Sequence, residues 1–80
     1  MNANADRHFT TFATWTELTD HVRAGYRLYY HPPMDFRPSL LVSATIRRDG
    51  TIRCTPVYVD ADPFTADIGH LDRFRRIANV

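Results

Sequence analysis

The sequence predicts an α+β domain: a two-layer sandwich of order α-β-β-β-α, with both helices on one face of a three-stranded antiparallel sheet. Three observations carry this expectation. A capped amphipathic stretch lies near the start, a hairpin with one apolar face occupies the centre, and a second stripe at helical spacing closes the chain.

Residues Met1 to Arg7 are small and polar and read as a disordered tail, leaving 8–80 as a single domain. Phe9 and Phe12 are anchors for a short extended segment, and residues 8–12 leave open a fourth, N-terminal strand. Thr14-Trp15-Thr16-Glu17 has capping-box spacing, in which the Thr hydroxyl accepts from the N–H of Glu17 and the Glu carboxylate reaches back to the N–H of Thr14. Trp15, Leu18 and Val22 then share one helical face, and Gly25 supplies a left-handed stop, which predicts a helix over 14–24.

Tyr26 to His31 is aromatic-rich and reads as a strand. His31 to Pro38 holds three prolines in eight residues and must be a loop. Two β runs follow, 40–47 and 51–59, around Arg48-Asp49-Gly50. A two-residue Asp49-Gly50 turn would set Ile46 against Arg53 and mix the faces. A three-residue loop with Gly50 left-handed instead pairs Ile46 with Ile52, Ala44 with Cys54, Val42 with Pro56 and Leu40 with Tyr58. Thr45 then faces Arg53, and Ser43 faces Thr55, on the polar side. Pro56 has no donor N–H and marks a bulge or an edge. A last helix is expected from 62–65 onward on the stripe Ile68, Leu71, Phe74 and Ala78, with Phe64 and Ile77 flanking it. The expected core is Trp15, Leu18, Val22, Leu28, Val42, Ala44, Ile46, Ile52, Cys54, Ile68, Leu71 and Phe74.

This element order, with a loop containing His31-Pro32-Pro33 after the first strand, resembles that of double-stranded-RNA-binding domains. That resemblance implies phosphate contacts from a Lys-rich start to the last helix. The matching stretch here is Asp60 to Asp67, whose acids repel phosphate, so duplex-RNA binding by that route is not expected.

Composition narrows the function classes. All ten basic side chains are Arg and nine are acidic, a formal net charge of +1, which disfavours a strongly basic nucleic-acid binder. No run approaches the ~18 apolar residues of a membrane span, and one cysteine cannot form an internal bridge. The start lacks a secretory leader's basic and apolar regions, so a cytoplasmic location is expected. Eighty residues leave little volume for an enclosed active site, so an enzyme is not expected, nor is a cofactor.

Several groups carry candidate chemistry. With Leu28 inward, Arg27, Tyr29 and His31 point outward beside Arg47 and Arg53, a surface of guanidiniums, hydroxyls and a Tyr for an anion or partner. Met34 and Phe36, held between prolines, are partner anchors in the 31–38 loop. His31 with Asp35 is a candidate base pair, but no catalytic set assembles around it. Asp60, Asp62, Asp67 and His70 hold ligand-type atoms, yet their spacing fits no calcium loop and capping is the expectation. Cys54 reads as a buried thiol. The function expected is therefore a non-catalytic interaction module. It would bind a protein or a second copy through the open face (Arg27, Tyr29, His31, Arg47, Arg53), an edge strand, or the loop with Met34 and Phe36. The alternative is nucleic-acid or anion binding through Arg27, Tyr29, Arg47 and Arg53.

Overall fold

The structure, a computed structural model, describes residues 9–32 and 39–78. It is a small α+β fold in which the described strands form one antiparallel sheet. In chain order these are β1 (Phe9–Thr10), α1 (Trp15–Arg23), β2 (Leu28–Tyr30), β3 (Leu40–Ile46), β4 (Ile52–Pro56), β5 (Phe64–Ala66), a 3₁₀ helix (Ile68–Arg73) and β6 (Phe74–Ile77). The sheet order is β1-β6-β2-β3-β4-β5.

Helix α1 forms where its caps place it. Thr14 is extended (φ −139, ψ 160), and its hydroxyl accepts from the N–H of Glu17 at 3.1 Å. The Glu17 carboxylate turns to Arg76 Nη2 at 3.5 Å, not back to Thr14. Gly25, at φ 82, ends the helix in the conformation that side chains disfavour. Leu18 is fully buried, and Trp15 donates its indole N–H to Gly50 O at 3.1 Å, fastening the helix start to the hairpin tip.

The β3–β4 hairpin adopts the three-residue loop. Gly50 sits at φ 88, and Arg47 donates to Thr51 O at 2.8 Å. The register is Ile46↔Ile52, Thr45↔Arg53, Ala44↔Cys54, Ser43↔Thr55 and Val42↔Pro56. The ladder stops there, so the expected Leu40–Tyr58 pair lies beyond it and Tyr58 is 83% exposed. Arg47 and Val57 donate across this pair, so the odd-numbered residues of β3 carry its hydrogen bonds. The backbone nitrogens at 52, 54 and 56 therefore face β5. Pro56 presents no N–H there, and the β4–β5 ladder ends at Cys54↔Phe64.

The C-terminal expectation is corrected: residues 64–77 form two strands and a 3₁₀ helix, not one α-helix. Ile68, Leu71 and Phe74 are spaced at i, i+3, which a 3₁₀ turn of three residues satisfies as well as an α-helix does. Ile68 is 67% exposed and leaves the expected core. Asp67 caps the 3₁₀ start, its Oδ1 accepting from Gly69 N at 2.9 Å. A three-stranded sheet would leave β2 and β4 as open edges; β6 pairs with β2 (Tyr29↔Arg75, Tyr30↔Phe74), and β5 pairs with β4. The N-terminal strand is present, with Phe9↔Ile77 and Thr10↔Arg76 on β6. With no last helix, the likeness to double-stranded-RNA-binding domains does not extend to this topology.

The core gathers Phe12, Leu18, Leu28, Tyr30, Val42, Ile52, Cys54, Ala66 and Phe74, with Trp15, Val22, Leu40, Ala44, Ile46, Phe64 and Leu71 packed around it. Both α1 and the 3₁₀ helix lie over this side. Two substitutions separate the strand-bearing C-terminus from a helix. Phe74→Ala empties a fully buried site and is expected to cost about 3–5 kcal/mol in urea unfolding. Ile68→Ser is expected to stay within about 0.5 kcal/mol, whereas a helix burying that stripe would lose several times more.

Candidate functional site

Alternation along the strands defines the opposite, outer face of the sheet. Once Phe74, Leu28, Val42 and Ile52 point into the core, Arg75, Tyr29, Leu41, Ser43, Thr45, Arg53, Thr55 and Thr65 must point out. Arg27 precedes β2 and Arg47 follows β3 on the same side. Ser43, Thr45, Arg53, Thr55 and Thr65 are all exposed. Arg53 Nη1 donates to Thr65 Oγ1 at 3.3 Å across β4 and β5. Among the described residues, no carboxylate lies within ion-pair distance of Arg27, Arg47, Arg53 or Arg75. Arg75 partly spends its donors on the backbone, reaching the carbonyls of Asp72 and Phe74. The Asp49 carboxylate at the hairpin tip is held below the usual range, chiefly by the Thr51 hydroxyl (2.6 Å) and N–H (3.0 Å), so it stays ionised beside Arg47.

The face is divided. On its β1-β6-β2 side, Phe9 meets Tyr29 edge-on at 4.9 Å between ring centroids, with Ile77 paired to Phe9 and Leu41 paired to Tyr29. Val57 donates to Leu41 O at 3.0 Å and is 45% exposed, extending this apolar strip. On the β3-β4-β5 side the surface is hydroxyl and guanidinium.

The expected site residues fare unequally. Arg27, Arg47 and Arg53 are exposed on the face as expected. Tyr29 is on the face but only 6% exposed, so it offers no open ring for stacking. His31 is half-buried, its N–H donating to Arg73 O at 2.8 Å and its Nδ1 lying 3.4 Å from Ser39 Oγ. Met34, Asp35, Phe36 and the tail 1–7 lie outside the described residues. Phe9 and Arg75 join the face unforeseen, because 74–77 read as helix; Phe74-Arg-Arg-Ile77 does not alternate apolar with polar, so no local pattern marks this strand.

The remaining groups resolve structurally. Asp67 and His70 form a capping pair, with His70 Nδ1 3.2 Å from Asp67 N and 3.0 Å from Asp67 Oδ1. One nitrogen cannot serve both at once: unprotonated it accepts from the backbone, and protonated it donates to the carboxylate. Among the described residues, no group of three or more His, Cys, Asp or Glu is placed to hold a metal. Among the described residues, no helix is long and apolar enough to cross a membrane.

No family model, curated protein or solved structure matches the chain. The functional reading therefore rests on its own residues.

Cys54 gives a test of the inner layer. It is fully buried, and desolvation pushes its thiol up to about 12, against a weaker pull from Arg53. Burial also raises Tyr30, with Arg73 opposing. Both protonated forms are favoured in the fold, so their stabilisation is intact below pH 9.0 and fades as pH climbs toward about 12. Urea midpoints are expected to fall between about pH 8 and about pH 10.5, and to fall less in Cys54→Ala. Native Cys54 should resist alkylation until urea exposes it.

Proposed function

We propose that this domain is a non-catalytic interaction module whose outer sheet face takes up an acidic, partly apolar segment of a protein partner. The observation that carries the reading is the pairing, on one face, of Arg27, Arg47, Arg53 and Arg75 with the strip of Phe9, Leu41, Val57 and Ile77. Guanidiniums take carboxylates bidentately, and a neighbouring apolar strip gives a partner surface to desolvate. A second copy presenting the same face would bring Arg against Arg, so a partner of opposite charge fits better than self-pairing. Asp60 and Asp62 lie in the β4–β5 loop, and the Asp67 carboxylate is engaged as the 3₁₀ cap, its Oδ1 accepting from Gly69 N. A phosphate backbone would also meet the guanidiniums, but it leaves the apolar strip unused, and the buried Tyr29 cannot stack a base.

The test is an NMR titration with a synthetic Glu-rich peptide carrying Leu and Phe, beside a single-stranded RNA of equal charge. The peptide is expected to shift Arg27, Leu41, Arg53 and Ile77 together, and Arg47→Gln with Arg53→Gln to weaken it about tenfold at unchanged stability. Tighter binding of the RNA, with a steep salt dependence and no response at Leu41 or Ile77, would replace this reading with the anion-binding one. Shifts confined to the α1 side would remove both.

A further inference from the structure

At the end of the sheet where β2 begins and β6 ends, beneath the last turn of α1, lies a cavity of about 390 Å³ lined by His21, Tyr26, Arg27, Arg76 and Ile77. It borders the outer face and shares Arg27 and Ile77 with it, but the proposal does not rest on the outer-face reading, because its polar element, Arg76, lies on the inner side of β6. Its volume is in the lower range of small-molecule pockets, which combine an apolar body with a few convergent polar groups. The apolar part is built from rings: His21 and Tyr26 lie tilted at 5.4 Å, and Phe12 meets His21 edge-on at 5.1 Å. His21 is locked in place. Its Nε2 is 2.7 Å from Arg27 O, and because a carbonyl only accepts, Nε2 carries the proton. Tyr26 is 61% exposed, a large ring with no buried role.

Arg76 is the polar element, and among the described residues its hydrogen bonding is incomplete. Its guanidinium lies 5.7 Å from the Phe12 ring centroid. Its Nη2 has one long contact, 3.5 Å to Glu17 Oε1, and its Nε is buried with no partner among the described residues. A guanidinium has five N–H donors in a planar fork, so beyond the long Glu17 contact its terminal nitrogens keep donors for a carboxylate. The side chain remains 41% exposed, so its terminal nitrogens are reachable. The sheet pins Arg76 in place, since it pairs with Thr10 in the β1–β6 ladder.

We propose that this cavity binds an aromatic monocarboxylate, the ring lying against Tyr26 and Ile77 and the carboxylate taken by the Arg76 guanidinium in competition with Glu17. The chemistry fits a free aryl acid or the C-terminal carboxylate of a chain ending in an aromatic residue.

The probes are 3-phenylpropionate and a tripeptide ending in Phe, followed on the amides of His21, Tyr26 and Ile77 and on the Arg76 side-chain N–H. Acetate and 3-phenylpropan-1-ol control for charge and ring alone. Saturable shifts are expected with an aryl carboxylate and not with either control, and the tighter of the two probes names the source. Arg76→Gln is expected to weaken binding by about tenfold or more. Glu17→Gln removes the internal competitor and is expected to tighten binding about two- to fivefold, the scale of a half-exposed ion pair. Should Arg76→Gln fail to fold, the Glu17→Gln result decides. Unchanged or weaker binding in Glu17→Gln, equal response to acetate, or no saturable shift with either carboxylate overturns the proposal.

Discussion

Gly50 holds φ 88 at the tip of the β3–β4 hairpin, and that one left-handed residue sets the pairing of every residue below it. A slip of one position would set Ile46 and Arg53 on one face, so that keeping Ile46 inside would send Ile52 out and draw Arg53 into the core, where an unpaired guanidinium is expensive to bury. Trp15 adds a second restraint by bonding the Gly50 carbonyl, so the helix start and the hairpin tip fix each other. The sidedness of the sheet, the buried Cys54 and the outward guanidiniums all follow from this register.

The remaining strands extend that register sideways. β2 continues the inner layer with Leu28 and Tyr30, and β6 extends it with Phe74, whose ring meets Tyr30 at 5.2 Å and Trp15 at 6.4 Å. Among the described residues α1 is the one α-helix; it packs on β3, and the 3₁₀ helix lies beside it with Leu71 against the core. This is how a chain of 80 residues assembles a core from one nine-residue helix.

What could be read from residues alone was whatever local chemistry decides. The Thr14 cap, the Gly25 stop and the polar–apolar alternation of 40–56 are short-range signals, and each appears in the fold. The C-terminal third was misread because i, i+3 spacing does not distinguish a 3₁₀ turn from an α-helix, and because pairing with β2 and β4 is a long-range gain no local window contains. The same error hid part of the site. Arg27, Arg47 and Arg53 were legible from the hairpin, whereas Arg75 and Phe9 reach the outer face only through β6 and β1. Tyr29 was placed on the correct face, but its cover by Phe9 depends on a strand of two residues.

The register can be observed directly. In an antiparallel pair, the α-protons of residues facing each other without exchanged hydrogen bonds lie closest. Since Arg47 and Val57 donate across the hairpin, those close pairs are Ala44 with Cys54 and Ile46 with Ile52. Strong α-proton to α-proton nuclear Overhauser effects between these two pairs are the result the account predicts. Such effects between Arg47 and Ile52 and between Thr45 and Cys54 instead would mean a two-residue turn, mixed faces and no arginine-bearing outer surface.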